Sequence, residues 1–192
     1  LDTEVYSNTG GQSSKASKAG SIASFATSGK KTNKKDLARI AMSYKNAYVA
    51  QISLGANMMQ VIKTLKEAND YNGPSIVIAY CPCISHGIKG GMTNSVSMEK
   101  LAVECGYFPI FRYNPTMDKF SLDSKADFDK YKEFLLGENR YRSLSKTNPS
   151  EYEKLLDENL EDAKKKYEIA TSNNAFYTSS KMDNYGVCKE NS

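Results

Sequence analysis

The sequence predicts an α/β fold: a mostly parallel sheet flanked by helices, followed by a helical extension. Three observations predict it. Between Leu1 and Tyr113, short β-rich runs alternate with stripes of 3.6-residue period, the pattern of βαβ units with right-handed crossovers. Ser75 to Tyr80 (Ser-Ile-Val-Ile-Ala-Tyr) is an almost unbroken apolar run, as in a strand buried on both faces of a parallel sheet. From Asn114 the character shifts to a polar connector and then to charged helix. The expected organisation is therefore 1–113 as the α/β unit, 114–170 as a helical extension packed on it, and 171–192 as a polar, mobile tail.

Taken in order, Leu1 to Gln12 reads as the end of a strand entering a polar loop with two glycines, Gly10 and Gly11, that permit positive φ. Ser13 to Asn33, rich in Ser, Gly, Lys and Ala, predicts an ordered excursion with one short helix near Ile22 and Phe25. Leu37, Ile40, Ala41 and Tyr44 recur at i, i+3, i+4 and i+7, so Lys35 to Tyr44 is expected to be helical with that stripe inward. Tyr48 to Ser53 is β-rich and short enough to be a strand. Asn57 is placed to cap a second helix whose buried face would be Met58, Val61, Ile62 and Leu65, ended by the turn Asn72-Gly73-Pro74. Met58-Met59 is read as core filling rather than a sulfur-bearing contact site. After the glycine-rich loop from Cys81 to Thr93, Asn94 to Cys105 is helical with Met98, Leu101, Ala102 and Cys105 on one side and Gly106 as its stop. Phe108 to Tyr113 is a strand that Pro109 pushes toward the periphery. Phe128 to Leu144 predicts one helix, Asn148-Pro149 breaks it, and Ser150 to Ala170 is a long helix packing through Leu155, Leu156, Leu160, Ala163 and Tyr167.

Composition narrows the function classes. The 192 residues are 40% hydrophobic and 25% charged, ordinary for a globular protein, with net charge +4. The basic runs Lys30–Lys35 and Lys164–Lys166 lack interleaved aromatics and belong to no nucleic-acid module, so they are read as a solvated loop and a solvated helix face. No stretch approaches the ~18 apolar residues of a membrane span. Cys81, Cys83, Cys105 and Cys188 form no secreted-scaffold pattern, which points to a reducing, cytoplasmic interior. Leu1 stands in a strand with no earlier apolar run to pair it, so a fragment of a larger protein is expected.

Two stretches carry candidate chemistry. The opening loop gathers hydroxyl, amide and backbone oxygens that could face a phosphate and its metal ion, yet it is neither a Walker A loop nor G-x-G-x-x-G. A plain strand-to-loop turn stays open as the alternative. Cys81-Pro82-Cys83 follows a buried strand. Alone it is either two half-buried loop thiols or part of a metal site, since zinc wants four ligands and His86 is the single histidine. His86 is read as a loop hydrogen-bonding residue, Cys105 as core and Cys188 as incidental.

The run EVYSNTGGQSSKAS, from Glu4 to Ser17, with AYCPCISHG, from Ala79 to Gly87, resembles the thiamine-diphosphate-binding C-terminal region of pyruvate:ferredoxin (flavodoxin) oxidoreductases. The resemblance extends from Leu1 to about Ala170. It implies a partial thiamine-diphosphate-binding fold and, for the parent, oxidative decarboxylation of pyruvate with coenzyme A to acetyl-CoA and CO₂. Electrons would leave through four-iron four-sulfur clusters to ferredoxin or flavodoxin. It implies that the Thr3 side chain and the Val5 carbonyl hold Mg²⁺ on the cofactor's pyrophosphate, that Asn8 lines the reaction centre, and that Cys83 is one cluster ligand. Cys81 stands where the family has a small residue and takes no such role. The metal's aspartate, in a Gly-Asp-Gly motif, and the other cluster ligands would lie upstream in the same polypeptide, a homodimer when complete, in the cytoplasm or a hydrogenosome-like organelle. The chain alone is expected to bind thiamine diphosphate weakly or not at all. A sister 2-oxo acid oxidoreductase, a fusion to another reductase domain, and a non-catalytic structural fragment are the alternatives.

Overall fold

The computed structural model describes residues 1–172, and the tail beyond them, with Cys188, lies outside the described residues. The chain is α/β. A two-stranded antiparallel ribbon, β1 (Val5–Tyr6) and β2 (Gln12–Ser13), precedes a four-stranded mixed sheet. That sheet is built from β3 (Tyr48–Ile52), β4 (Ser75–Ala79), β5 (Phe111–Asn114) and β6 (Lys119–Leu122), in the order β4-β3-β5-β6.

The mostly parallel sheet expected from the alternation is found only in its first crossover. Strands β3 and β4 are parallel, in register Tyr48↔Ser75 to Ile52↔Ala79, across helix α2 (Met58–Asp70). Strand β5 instead pairs antiparallel with β3, and β6 returns antiparallel to β5. So β5 is internal, not peripheral. Pro109 lies before its first residue, where its missing N–H breaks no ladder bond, and Lys119–Leu122 in the polar connector is the strand that follows. Strand β4 is an edge with Ser75 and Ile76 exposed, rather than a strand buried on both faces.

Helix α1 (Leu37–Ser43) starts where Asp36 accepts a bond from the Arg39 amide, and Asn57 caps α2 by accepting from the Gln60 amide. The faces they bury differ from the expected stripes. In α1 the inward residues are Ala38, Ala41 and Met42, while Leu37, Ile40 and Tyr44 are exposed. In α2 they are Gln60, Val61 and Thr64, leaving Met58, Ile62 and Leu65 more than half exposed. Met42 and Val61 turn inward beside these small and polar groups, and the other large apolar side chains of both helices are exposed.

Helix α3 (Ser95–Glu104) buries Met98 and Ala102, with Cys105 fully enclosed and Gly106 at φ +77° ending it, as the sequence predicts. The helix expected from Phe128 to Leu144 is divided into a 3-10 turn (Phe128–Lys130), α4 (Tyr131–Gly137) and α5 (Asn139–Thr147). The break is at Glu138, whose extended backbone turns its carboxylate inward. Helix α6 (Pro149–Thr171), capped by Asn148, packs through Leu155, Leu156 and Ala163. The short helix expected between Ser13 and Asn33 is not formed. That stretch is loop with single bridges, Gln12 to Ser24 and Ala23 to Ala26, and Phe25 is 92% exposed. The largest core joins Tyr80, Met98, Tyr107 and Phe108 to Tyr131, Phe134, Leu144 and Leu155, so helices α3 to α6 share one apolar interior.

Candidate functional site

The opening segment is laid along the carboxyl end of β4. Asp2 bridges Tyr80 in parallel fashion: its amide donates to the Ala79 carbonyl at 2.7 Å, and the Cys81 amide donates to the Asp2 carbonyl at 3.2 Å. The loop after Tyr6 and the loop after Tyr80 therefore open at the same edge, where ligands collect in α/β sheets. Side chains tie them further. Ser85 Oγ donates to the Ser7 carbonyl at 2.7 Å, and Cys83 Sγ lies 3.4 Å from Ser7 Oγ. Gly11 has φ +75°, and a Cβ there would stand 2.7 Å from a His86 ring carbon, so the glycine lets the imidazole close over the loop.

Three of the four predicted site residues are brought together. The Thr3 hydroxyl donates to the Val5 carbonyl at 3.0 Å. Two oxygens bound to one octahedral Mg²⁺ at 2.0–2.1 Å stand about 2.9 Å apart, so this pair has the spacing of adjacent ligands once the hydroxyl proton turns elsewhere. Val5, Ala23 and Cys83 form one small buried cluster directly behind them. Asn8 is exposed on the 3-10 turn Ser7–Thr9, with no side-chain hydrogen bond among the described residues.

Cys83 is buried, and its Sγ sits 3.3 Å from His86 Nδ1. Burial pushes the thiol up, but hydrogen bonds from His86 and Ser7 outweigh it and bring the pKa down to about 6. That shift favours the thiolate, the form that binds metal. Cys81 is half-buried and its thiol is pushed up by burial. Cys105, enclosed in the core, is pushed up to about 12. Of the cysteines set aside in the sequence, Cys81 and Cys105 are thus held toward the thiol form. Among the described residues no group of three or more His, Cys, Asp or Glu is placed to hold a metal.

Beneath the oxygen pair lies a buried charge network that the sequence reading missed. Glu4, between Thr3 and Val5, has φ +65°, a conformation that costs a non-glycine residue about 1–3 kcal/mol. Its carboxylate is enclosed and meets Arg140 Nη2 at 3.1 Å, Lys34 Nζ at 3.0 Å and the Tyr107 hydroxyl. Burial would raise the Glu4 pKa, but the charges of Lys34, Arg140 and Lys18 hold it at about 2. Arg140 also faces Glu138 across 3.3 Å and donates from Nη1 to the Thr3 carbonyl at 3.2 Å. Its contacts with the two carboxylates are ionic, off the N–H directions, so the aligned bond it makes among the described residues is the one to Thr3. Lys18, buried against the Tyr107 ring, is pushed down to about 7 by burial. Lys34 belongs to a basic run expected to be solvated, yet it is largely enclosed between Asp2 and Glu4. Lys164 and Lys165 do face solvent. No local signal marks these residues, because a buried ion pair exists only where distant segments meet.

No family model matches the chain. Among curated proteins it is 51% identical over 173 residues to "Pyruvate:ferredoxin oxidoreductase" of Moorella thermoacetica, covering 88% of this chain and 15% of that one. It is 48% identical over 172 residues to "Pyruvate-flavodoxin oxidoreductase" of Klebsiella pneumoniae, with 87% and 15% covered. The chain belongs to the pyruvate:ferredoxin (flavodoxin) oxidoreductase family. It is also 47% identical over 154 residues to the mitochondrial "Pyruvate dehydrogenase [NADP(+)]" of Euglena gracilis, covering 78% of this chain and 8% of that protein. The chain thus spans about one-seventh of the length of the oxidoreductases it matches. No helix among the described residues is long and apolar enough to cross a membrane.

Proposed function

We propose that this chain is the part of a pyruvate:ferredoxin or pyruvate–flavodoxin oxidoreductase that supplies two metal-binding oxygens and one cluster-ligating thiolate. The observation that carries the reading is the 3.0 Å convergence of Thr3 Oγ1 and the Val5 carbonyl, with the Cys83 thiolate behind Val5 in the same buried cluster. In this reading Thr3 and Val5 hold Mg²⁺ on thiamine diphosphate, and Cys83 is one ligand of a four-iron four-sulfur cluster. Asn8 then faces the reacting centre, where an amide can donate to a carboxylate or developing oxyanion without acting as a base. When bound, the thiamine supplies the carbanion chemistry that lets a 2-oxo acid lose CO₂, and the cluster takes up the electrons. Coenzyme A accepts the acetyl group, and ferredoxin or flavodoxin receives the electrons.

Residues 1–113 act here as the cofactor-binding part and 114–170 as the helical layer packed on it. Upstream domains of the same cytoplasmic, homodimeric polypeptide complete both sites. The test is made on the full-length oxidoreductase carrying this sequence. Cys83→Ser is expected to abolish one four-iron cluster's electron paramagnetic resonance signal and leave the others. Thr3→Ala is expected to weaken thiamine diphosphate binding. Unchanged cluster content and unchanged affinity would refute the proposal, as would a coding sequence without an upstream Gly-Asp-Gly segment and further cysteines.

A further inference from the structure

We infer that Arg140 and Ser17 are positioning residues for the oxygen pair, clamping the two carbonyls on either side of Glu4 so that Thr3 Oγ1 and the Val5 carbonyl meet. The inference rests on the cofactor-metal reading above. It starts from the left-handed backbone of Glu4, which no glycine relaxes. A chain held there only by local preference would relax toward negative φ and swing Thr3 and Val5 apart.

What opposes that relaxation is visible on both sides. The Thr3 carbonyl accepts the aligned bond from Arg140 Nη1 at 3.2 Å, between residues 137 positions apart. The Glu4 carbonyl accepts from the fully buried Ser17 hydroxyl, and from Ser14 Oγ at 3.3 Å. Arg140 is itself surrounded. It is enclosed at the start of α5, faced by Glu138 at 3.3 Å and Glu4 at 3.1 Å, and packed on the Tyr141 ring. The guanidinium meets Glu4 and Glu138 by charge while one arm of its rigid plane gives the aligned N–H to the Thr3 carbonyl. The clamp touches neither cofactor nor reacting atoms. It acts on the angle between the two ligand oxygens.

That distinction sets the experiment. Mg²⁺ demands a near-ideal octahedron at short distances, whereas Ca²⁺ accepts longer and irregular shells. A clamp on ligand geometry therefore matters for one ion more than for the other, while a general loss of folding affects both alike. Thiamine diphosphate affinity is measured by calorimetry on the full-length oxidoreductase, with Mg²⁺ or Ca²⁺ as the sole divalent ion. Arg140→Lys, which keeps the charge and loses the fork, and Ser17→Ala are expected to weaken Mg²⁺-supported binding by about tenfold or more, the usual effect of removing an outer-shell partner. Ca²⁺-supported binding is expected to fall by a clearly smaller factor. Equal loss with both ions, or no loss, overturns the assignment of the residue concerned. Should Arg140→Lys fail to fold, Ser17→Ala decides alone. Thr3→Ala separates the two levels: if it changes affinity with neither ion, the cofactor-metal reading fails, whereas an effect there without one at Arg140 or Ser17 refutes only the clamp.

Discussion

Replacing Glu4 by Gln removes the one negative charge that Lys34, Arg140 and Lys18 share, and the consequence can be worked from both ends of the pH scale. With a native pKa of about 2 against an unfolded value of 4.5, the carboxylate releases its proton more easily when folded. Its contribution is therefore fully present above pH 4.5 and is lost as pH falls through about 2. A difference of roughly 2.5 pKa values corresponds to about 3 kcal/mol. Removing one partner of a buried ion pair costs about 3–5 kcal/mol, which agrees with it. Glu138 still faces Arg140 in the variant, so the lower end of that range is expected. Urea unfolding of wild type and Glu4→Gln, compared at fixed pH steps, measures the difference directly. The gap should be about 3 kcal/mol at pH 6 and should narrow steadily below pH 4.5, because the wild type then protonates the same group. A gap that stays constant down to pH 2.5, or one under about 1 kcal/mol at pH 6, would refute the claim that the Glu4 charge holds this network.

Other outcomes follow from the same geometry. The ultraviolet thiolate absorbance that disappears in Cys83→Ser should titrate near pH 6, and His86→Ala should move its midpoint upward by removing the main hydrogen bond to the sulfur. Gly11→Ala should cost about 1–3 kcal/mol in thermal or urea unfolding and raise the same midpoint, since its methyl group occupies the space of the His86 ring at a positive φ. Asn57→Ala should cost about 1 kcal/mol in unfolding with no change in the Cys83 titration, because it removes only the cap of α2. The 192-residue chain alone, mixed with thiamine diphosphate and Mg²⁺ in a calorimeter, should show no micromolar binding, as two oxygens without a carboxylate are a poor Mg²⁺ site.

Legibility of the fold divided according to the range of the forces involved. Caps and stops are local chemistry, and Asn57, Asn148 and Gly106 lie where their side chain or their freedom at positive φ requires. Strands β3 and β4 and helix α3 were readable because their patterns complete themselves within ten residues or so. Sheet order was not. Nothing in Phe111–Asn114 distinguishes a parallel from an antiparallel partner, and Pro109 suggested an edge when it only delays the start of β5. The stripes of α1 and α2 failed for another reason. A period of 3.6 shows that a helix has an apolar side but not what covers it. Here the sheet takes the small residues Ala38, Ala41 and Thr64, and Met58, Ile62 and Leu65 are left outward.

The candidate site shows the same division at smaller scale. The atoms proposed to hold the cofactor lie in a few consecutive residues, Thr3 to Asn8, and so a short motif could name them. The groups that shape them come from Ser17, Lys34, Tyr107, Glu138 and Arg140; Ser17 closes the opening motif and Lys34 sits in a basic run, but nothing in the sequence assigns either of them, or the other three, to this network. Their arrangement explains why a glutamate stands at a left-handed position where glycine would cost nothing in backbone strain. Glycine would relax the turn and take away the carboxylate that Lys34, Arg140 and Lys18 share, leaving Lys34 to Asp2 and Arg140 to Glu138. Glutamate accepts about 1–3 kcal/mol of strain and neutralises a cluster that otherwise costs more. Glu4→Gly therefore separates the two effects. If strain dominated, it would stabilise the protein. If charge dominates, it still destabilises, by less than Glu4→Gln to the extent that the strain is relieved, and the pH dependence below 4.5 disappears with it.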